Sequence, residues 1–179
     1  MKASISENLF SETEKIGERY DLETHSVIFD RYHFAGDLAQ ARRLLEVGCG
    51  SGLGLEYLSR IAKTCHAIEY SIENVLLLKS QEIGTANVIE GDAHEMPYES
   101  CSFDLVVALA MIYYLSLDRF IEEASRVLDE DGILFFCTSN KDVPGFCAAP
   151  FTTAYYSVPE LHRELSNHNF EVEFYGAFP

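Results

Sequence analysis

The sequence predicts an α/β doubly wound fold, a mostly parallel sheet flanked by helices on both faces. Three observations predict it. From about Arg43 onward, short apolar runs alternate with amphipathic stretches. Two of the runs, residues 103–109 and 133–138, are apolar on both faces, as strands in a sheet covered on each side must be. The 179 residues, 47% of them apolar, suffice for one core and not for two comfortable ones. The right-handed crossover rule then sets the hand of the winding.

Each element follows in order. Residues 44–47 form a short strand running into a glycine cluster. Residues 53–62 read as a helix, and 65–68 as a second strand closed by Glu69. Ser71 stands where an N-cap belongs, Val75, Leu76 and Ile83 recur at helical spacing, and Gly84 occupies the expected C′ stop. Residues 87–89 make the third strand and 103–109 the fourth. Leu117, Phe120, Ile121, Ala124, Val127 and Leu128 form one helical stripe. Asp131-Gly132 then turns the chain into the fifth strand, 133–138.

Residues 139–156 form a long loop with Pro144, Gly145, Pro150 and the aromatics Phe146, Phe151, Tyr155 and Tyr156. Loops of this length in compact domains are often functional. Ser157-Val158-Pro159-Glu160 is a capping box with Pro near the start of the last helix. Phe170, Val172 and Phe174 alternate with Glu171 and Glu173, which predicts a sixth strand with one wet face. Residues 1–42 are polar, helical in tendency and dotted with Phe10, Tyr20, Phe29, Tyr32 and Phe34. The single domain, 1–179, thus divides into a helical cover (1–42), a core (43–138) and a closing section (139–179) of loop, last helix and edge strand.

Charge narrows the partners. Thirteen Lys and Arg against 29 Asp and Glu leave a net charge of −16. That sign repels phosphate backbones and anionic lipid heads, so no nucleic-acid or membrane partner is expected. Five cysteines at irregular spacing, without a CxxC pair, fit reduced thiols in a cytoplasmic protein. No metal-ligand set is apparent. The N-terminus has no apolar signal region, and the longest apolar run, 105–115, falls short of the roughly 20 residues of a spanning helix.

The stretch Leu44-Leu45-Glu46-Val47-Gly48-Cys49-Gly50-Ser51-Gly52 is the most informative. It follows a strand and opens a helix, so its glycines let a ligand approach the backbone at the carboxyl end of the sheet. A dinucleotide fingerprint needs G-x-G-x-x-G, but the third glycine is replaced by Leu53, Leu55 or Tyr57 in the three registers. What stands instead is E-x-G-x-G-x-G. A carboxylate there disfavours a pyrophosphate and suits a cationic amino group.

This stretch resembles the first motif of the class I S-adenosylmethionine-dependent methyltransferases, of the small-molecule type found in quinone biosynthesis. The resemblance implies a Rossmann-like fold and S-adenosyl-L-methionine as cofactor. It places Glu46, Gly48, Cys49, Gly50 and Gly52 at the cofactor, with Cys49 also readable as a small filler between glycines. Glu69 takes the position of the family's ribose-binding acid, with Tyr70 beside it. Glu90-Gly91-Asp92-Ala93 resembles the segment that holds the adenine edge, Asp92 accepting from the exocyclic amine and Ala93 facing a ring nitrogen. Ser102 to Ala108 resembles the fourth strand, whose end at Ala108 and Leu109 lines the methionine side. The resemblance covers residues 43–138 most strongly, making this the cofactor-binding core.

The implied activity is methyl transfer to a small-molecule acceptor by direct in-line displacement. Tyr20, Tyr113 and Phe151 are the substrate-site candidates, with Tyr113 or Tyr114 facing the methyl group or packing on the next helix. No residue is assigned as general base. The end of the fourth strand, Ala108-Leu109-Ala110-Met111, lacks the Asn/Asp-Pro-Pro-aromatic signature of base and glutamine methylation. The family normally has seven strands, and the sequence stops at Pro179 just after the sixth. A seventh is therefore expected to be missing, which invites a second copy or a partner to complete the sheet. The rival expectation is a non-catalytic cofactor-binding or protein-interaction module that kept the fold.

Overall fold

The computed structural model describes residues 22–176 apart from Glu82 and Phe151. The expectations for Phe10, Tyr20 and Phe151 fall outside those residues. Helix α1 (Leu22–Ala39) leads into β1 (Arg43–Val47), α2 (Leu55–Ile61), β2 (Thr64–Glu69), α3 (Ile72–Ser80) and β3 (Asn87–Glu90). Then come β4 (Phe103–Leu109), a single 3-10 turn (Ile112–Tyr114), α4 (Leu117–Val127), β5 (Leu128–Cys137) and α5 (Val158–Asn167). The sheet order is β3-β2-β1-β4-β5, and every pair is parallel. The order reverses between β1 and β4. At such a switch point the loops leave in opposite directions and a crevice opens beyond the carboxyl ends of the strands.

The two central strands explain the doubly apolar runs. Leu45, Val106 and Ala108 pack with Phe120, Ile121 and Ala124 of α4 on one face. Leu44, Leu105 and Val107 pack with Ala35 and Ala39 of α1 and with Leu55 and Leu58 of α2 on the other. Alternate side chains of one strand therefore feed two cores. At the amino end of the sheet, Asp104 Oδ2 accepts the Arg43 backbone N–H at 2.8 Å, and its Oδ1 accepts from Arg43 Nε at 3.0 Å. These bonds to Arg43 hold the Asp104 carboxyl below its ordinary range.

Three expectations change. Helix α3 ends at Ser80, not next to Gly84. Ile83 is apolar because it packs against the α1–α2 side of the core, without being helical. Strand β5 begins at Leu128, ahead of the expected turn, and its register slips between Phe103 and Leu105 to accommodate the acidic stretch. Its residues from Gly132 onward are only half-buried, because β5 pairs with β4 alone among the described residues. The expected sixth strand is irregular: residues 170–176 form no ladder. Phe170 and Val172 alternate because they pack onto the core, and Phe174 stacks on His162 at 6.4 Å between ring centroids. Neither a sixth nor a seventh strand occurs among the described residues.

The capping box at the start of α5 is present in full. Lys141 Nζ donates to Glu160 Oε1 at 2.7 Å, while Ser157 N–H and Oγ donate to Oε2 at 2.8 and 2.9 Å. Lys141, then Ser157, pull the Glu160 carboxyl down from 4.5 to about 2. A depressed folded-state value contributes stability above the unfolded value and loses it as pH falls. The stability difference between the parent and Glu160→Gln should therefore hold above pH 4.5 and close as pH falls toward about 2, measured by urea unfolding across pH. In the core, Phe120 is fully buried, and Phe120→Ala should cost about 3–5 kcal/mol in the same assay. Leu76→Ala, on the exposed side of α3, should stay within about 0.5 kcal/mol.

Candidate active site

The ends of the first four strands converge on one cleft of about 260 Å³. That is just beneath the roughly 300–1,000 Å³ range of small-ligand pockets. From β1 the chain turns through Gly48, with φ at 69°, and a Cβ there would meet Met111 Cε at 3.0 Å. Gly52, with φ at 75°, sits against Leu78 Cδ2 at 2.5 Å from the position of a Cβ. Side chains at either place would be strained by conformation and blocked by neighbours. The spacing of the motif is thus set by packing of the turn as well as by access for a ligand.

An acid stands at or near the end of each of the first three strands: Glu46 inside β1, Glu69 closing β2 and Asp92 two residues past β3. Glu46, only 1% exposed, accepts the Tyr32 hydroxyl at Oε1, 2.7 Å away. Tyr32 comes from α1, so the N-terminal helix is tied to the strand end behind the glycine turn. Glu69 is 6% exposed; its Oε2 accepts Gly50 N–H and its Oε1 accepts Ser71 N–H, both at 2.9 Å. One carboxylate therefore holds the glycine turn and the start of α3 together, where Ser71 Oγ caps Asn74 N–H at 3.3 Å. Beyond β3, Asp92 Oδ1 accepts the His94 backbone N–H at 2.8 Å.

The fourth wall begins at Ala110, whose φ of 56° turns the chain over the strand ends and brings Met111 to the cleft. Tyr113 in the following turn stacks on Tyr155 at 5.1 Å and 28°, and Phe146 meets Tyr155 edge-on at 4.8 Å. Thr153 N–H and Oγ1 donate to the Tyr113 carbonyl at 2.7 and 2.8 Å. The long loop is thereby docked beside the cleft as an aromatic wall.

Of the residues expected at a cofactor, Gly48, Gly50, Glu69, Tyr70, Asp92 and Ala93 line the cleft. Glu46 stands behind it. Cys49 is buried in the α1–α2 side of the core. Its thiol is pushed well up, chiefly by burial and further by Glu46 and Glu69, so it fills space as an uncharged group. Gly52 contacts Leu78 instead of the cleft. Ala108 and Leu109 pack into the two cores, and their place at the cleft is taken by Ala110 and Met111. The strand must run two residues further before its positive-φ turn exposes it. Tyr114 lines the cleft, whereas Tyr113 faces the loop. Sequence reasoning missed Tyr32, Met111 and Asn74; only their spacing from the glycine turn and the strand ends carried any signal.

The described lining contains carboxylates and no Lys or Arg. Such walls disfavour a phosphate and suit a ligand with a cationic group and hydroxyls. S-adenosylmethionine, with its ammonium, sulfonium and ribose diol, fits that donor and acceptor set.

The comparisons agree with the cleft. Residues 45–136 match the family described as a methyltransferase domain, and the chain belongs to that family. It is 29% identical over 170 residues to the Mycobacterium tuberculosis protein named "Probable S-adenosylmethionine-dependent methyltransferase Rv3030", covering 90% of this chain and 60% of that one. It is 25% identical to the fatty-acid O-methyltransferase of Mycolicibacterium smegmatis, covering 85% and 52%. The chain thus spans between 52% and 60% of the length of these curated relatives. Among solved structures, a SAM-dependent methyltransferase from Aquifex aeolicus shares the fold with a TM-score of 0.68 at 20% identity, covering 87% and 92%. The [4+2]-cyclase SpnF shares it with 0.69 at 24%, covering 86% and 60%. None of the described helices is long and apolar enough to cross a membrane.

The bond between Tyr32 and Glu46 is the joint between α1 and the site. Tyr32→Phe should lower stability by roughly 1.5–3 kcal/mol, the range for a hydrogen bond to a charged group, read by urea denaturation.

Proposed function

We propose that this chain binds S-adenosylmethionine in the strand-end cleft and transfers its methyl group to an apolar small-molecule acceptor. The observation that carries the reading is the acidic cleft itself. Glu69 is held by two backbone N–H groups, and a carboxylate offers about four lone-pair sites. Two acceptor sites therefore remain for a pair of ribose hydroxyls. Asp92 uses Oδ1 within its own turn, leaving Oδ2 to accept from an exocyclic amine. Glu46 supplies negative charge on the side of the cationic ammonium.

S-adenosylmethionine, when bound, supplies an already electrophilic methyl group. The work left to the protein is to orient an acceptor in line with it and to exclude water. Met111 and Tyr114 border the cleft, and the Tyr113–Tyr155–Phe146 cluster offers an uncharged aromatic surface beside them. That surface suits a flat or long-chain apolar acceptor. Two relatives whose names carry an O-methyltransferase activity, on fatty acids and in ubiquinone biosynthesis, support an apolar acceptor methylated at oxygen. The fold does not fix the reaction, since a cyclase shares it.

Calorimetry with S-adenosylhomocysteine tests the binding step. The parent should bind, and Glu69→Ala should lose roughly 10- to 100-fold in affinity. Methyl transfer should then appear with long-chain carboxylic acids or phenols. Tyr155→Ala should raise the acceptor KM and leave S-adenosylhomocysteine affinity unchanged. A folded parent that fails to bind overturns the reading. Binding without transfer to any acceptor points to the non-catalytic module.

A further inference from the structure

His94 lines the cleft and links two of its walls. Its backbone N–H donates to Asp92 Oδ1 at 2.8 Å, and its ring Nδ1 lies 2.8 Å from the same oxygen. On the far side of the ring, Nε2 receives the backbone N–H of Ser116 at 3.0 Å. Ser116 is the N-cap residue of α4 and directly follows the turn that carries Met111, Tyr114 and Leu115 into the cleft.

The chemistry of these contacts fixes the tautomer. An amide N–H only donates, so Nε2 must be bare. The ring proton therefore sits on Nδ1, where it points at the Asp92 carboxylate. The same turn is fastened to α4 a second time: Met96 N–H donates to Glu123 Oε2 at 2.8 Å, and Arg126 donates to the carbonyls of Met96 and Tyr98 at 2.9 and 2.7 Å. The 92–98 turn is thus held at both ends, and His94 reaches from the Asp92 side to the Ser116 side of the cleft. Beyond Ser116, the Leu115 carbonyl accepts Thr153 Oγ1 at 3.0 Å, so the same wall is joined to the aromatic loop.

We infer that His94 is a positioning residue: as the Nδ1–H tautomer it aims the Asp92 carboxylate and sets the distance between the Asp92 wall and the Met111–Leu115 wall. The inference rests on the proposed cofactor site. It assigns His94 no contact with the reacting atoms.

The tautomer can be read without any ligand. Nitrogen-15 spectra of the parent should show His94 with a protonated Nδ1 and an unprotonated Nε2. An Nε2–H tautomer would contradict the Ser116 bond and overturn the inference, whatever the chain binds. Binding is read next, by calorimetry with S-adenosylhomocysteine. His94→Ala should weaken affinity roughly ten-fold, the loss of about one hydrogen bond. His94→Gln keeps an acceptor for Ser116 N–H and should recover most of that loss, while thermal unfolding shows both variants folded. If the parent binds and His94→Ala binds equally well, the inference fails and the cofactor site stands. If His94→Gln is no better than His94→Ala, the acceptor at Ser116 is not what matters, and the inference also fails. If the folded parent does not bind, the cofactor site fails and takes the inference with it.

Discussion

A parallel sheet buried on both faces leaves its strand ends as the only places where polar chemistry can be displayed. Here β1 and β4 are sealed between α4 on one side and α1 with α2 on the other. Their backbones pair in the parallel ladder, and their apolar side chains are committed to packing. The polar groups that line the cleft stand at the carboxyl ends, and the reversal of strand order between β1 and β4 opens the space there. The cleft is a consequence of the core.

Two buried acids at that edge, Glu46 and Glu69, carry a cost that the structure offsets locally. A carboxylate removed from water is unfavourable unless donors are aimed at it. Glu69 meets two backbone N–H groups and Glu46 meets the Tyr32 hydroxyl, while the exposed Asp92 meets both the backbone and the ring of His94. Each contact also ties one segment to another: the glycine turn to α3, α1 to β1, and the 92–98 turn to the start of α4 through His94. The charge that suits a cationic ligand is held by the same bonds that shape the cleft.

Local pattern made much of this legible. The first four strands sit close to where their apolar runs place them, because burial on both faces leaves a continuous apolar signature, whereas the fifth starts five residues early. The α4 stripe and the Ser157 capping box depend on spacings of three and four residues; the box occurs as read, and so does the stripe from Leu117 to Val127, while Leu128 opens β5. The glycine turn was legible for a similar reason: positive φ at Gly48 and Gly52 is a local demand that only certain residues meet. The failures share a different cause. Ile83 and the Phe170–Val172 pair are apolar for tertiary packing, and a period read from them mistakes a contact for an element. Ala108 and Leu109 stay within the sheet, and the backbone emerges from it at Ala110.

By itself the sequence determined the fold class, the order of the first five strands and the helices between them, and the acids at or near the ends of the first three strands. Each of these rests on interactions between near neighbours in the chain, or on burial that leaves its mark on composition. Only the tertiary structure decided that Tyr32 bonds Glu46 across fourteen residues and that His94 receives Ser116 across twenty-two. It also set Thr153 against the carbonyl of Tyr113, forty residues away. Those contacts depend on where separate segments meet once the sheet has been wound. A hydroxyl, an imidazole and an amide carry no periodicity that would announce their partners in advance.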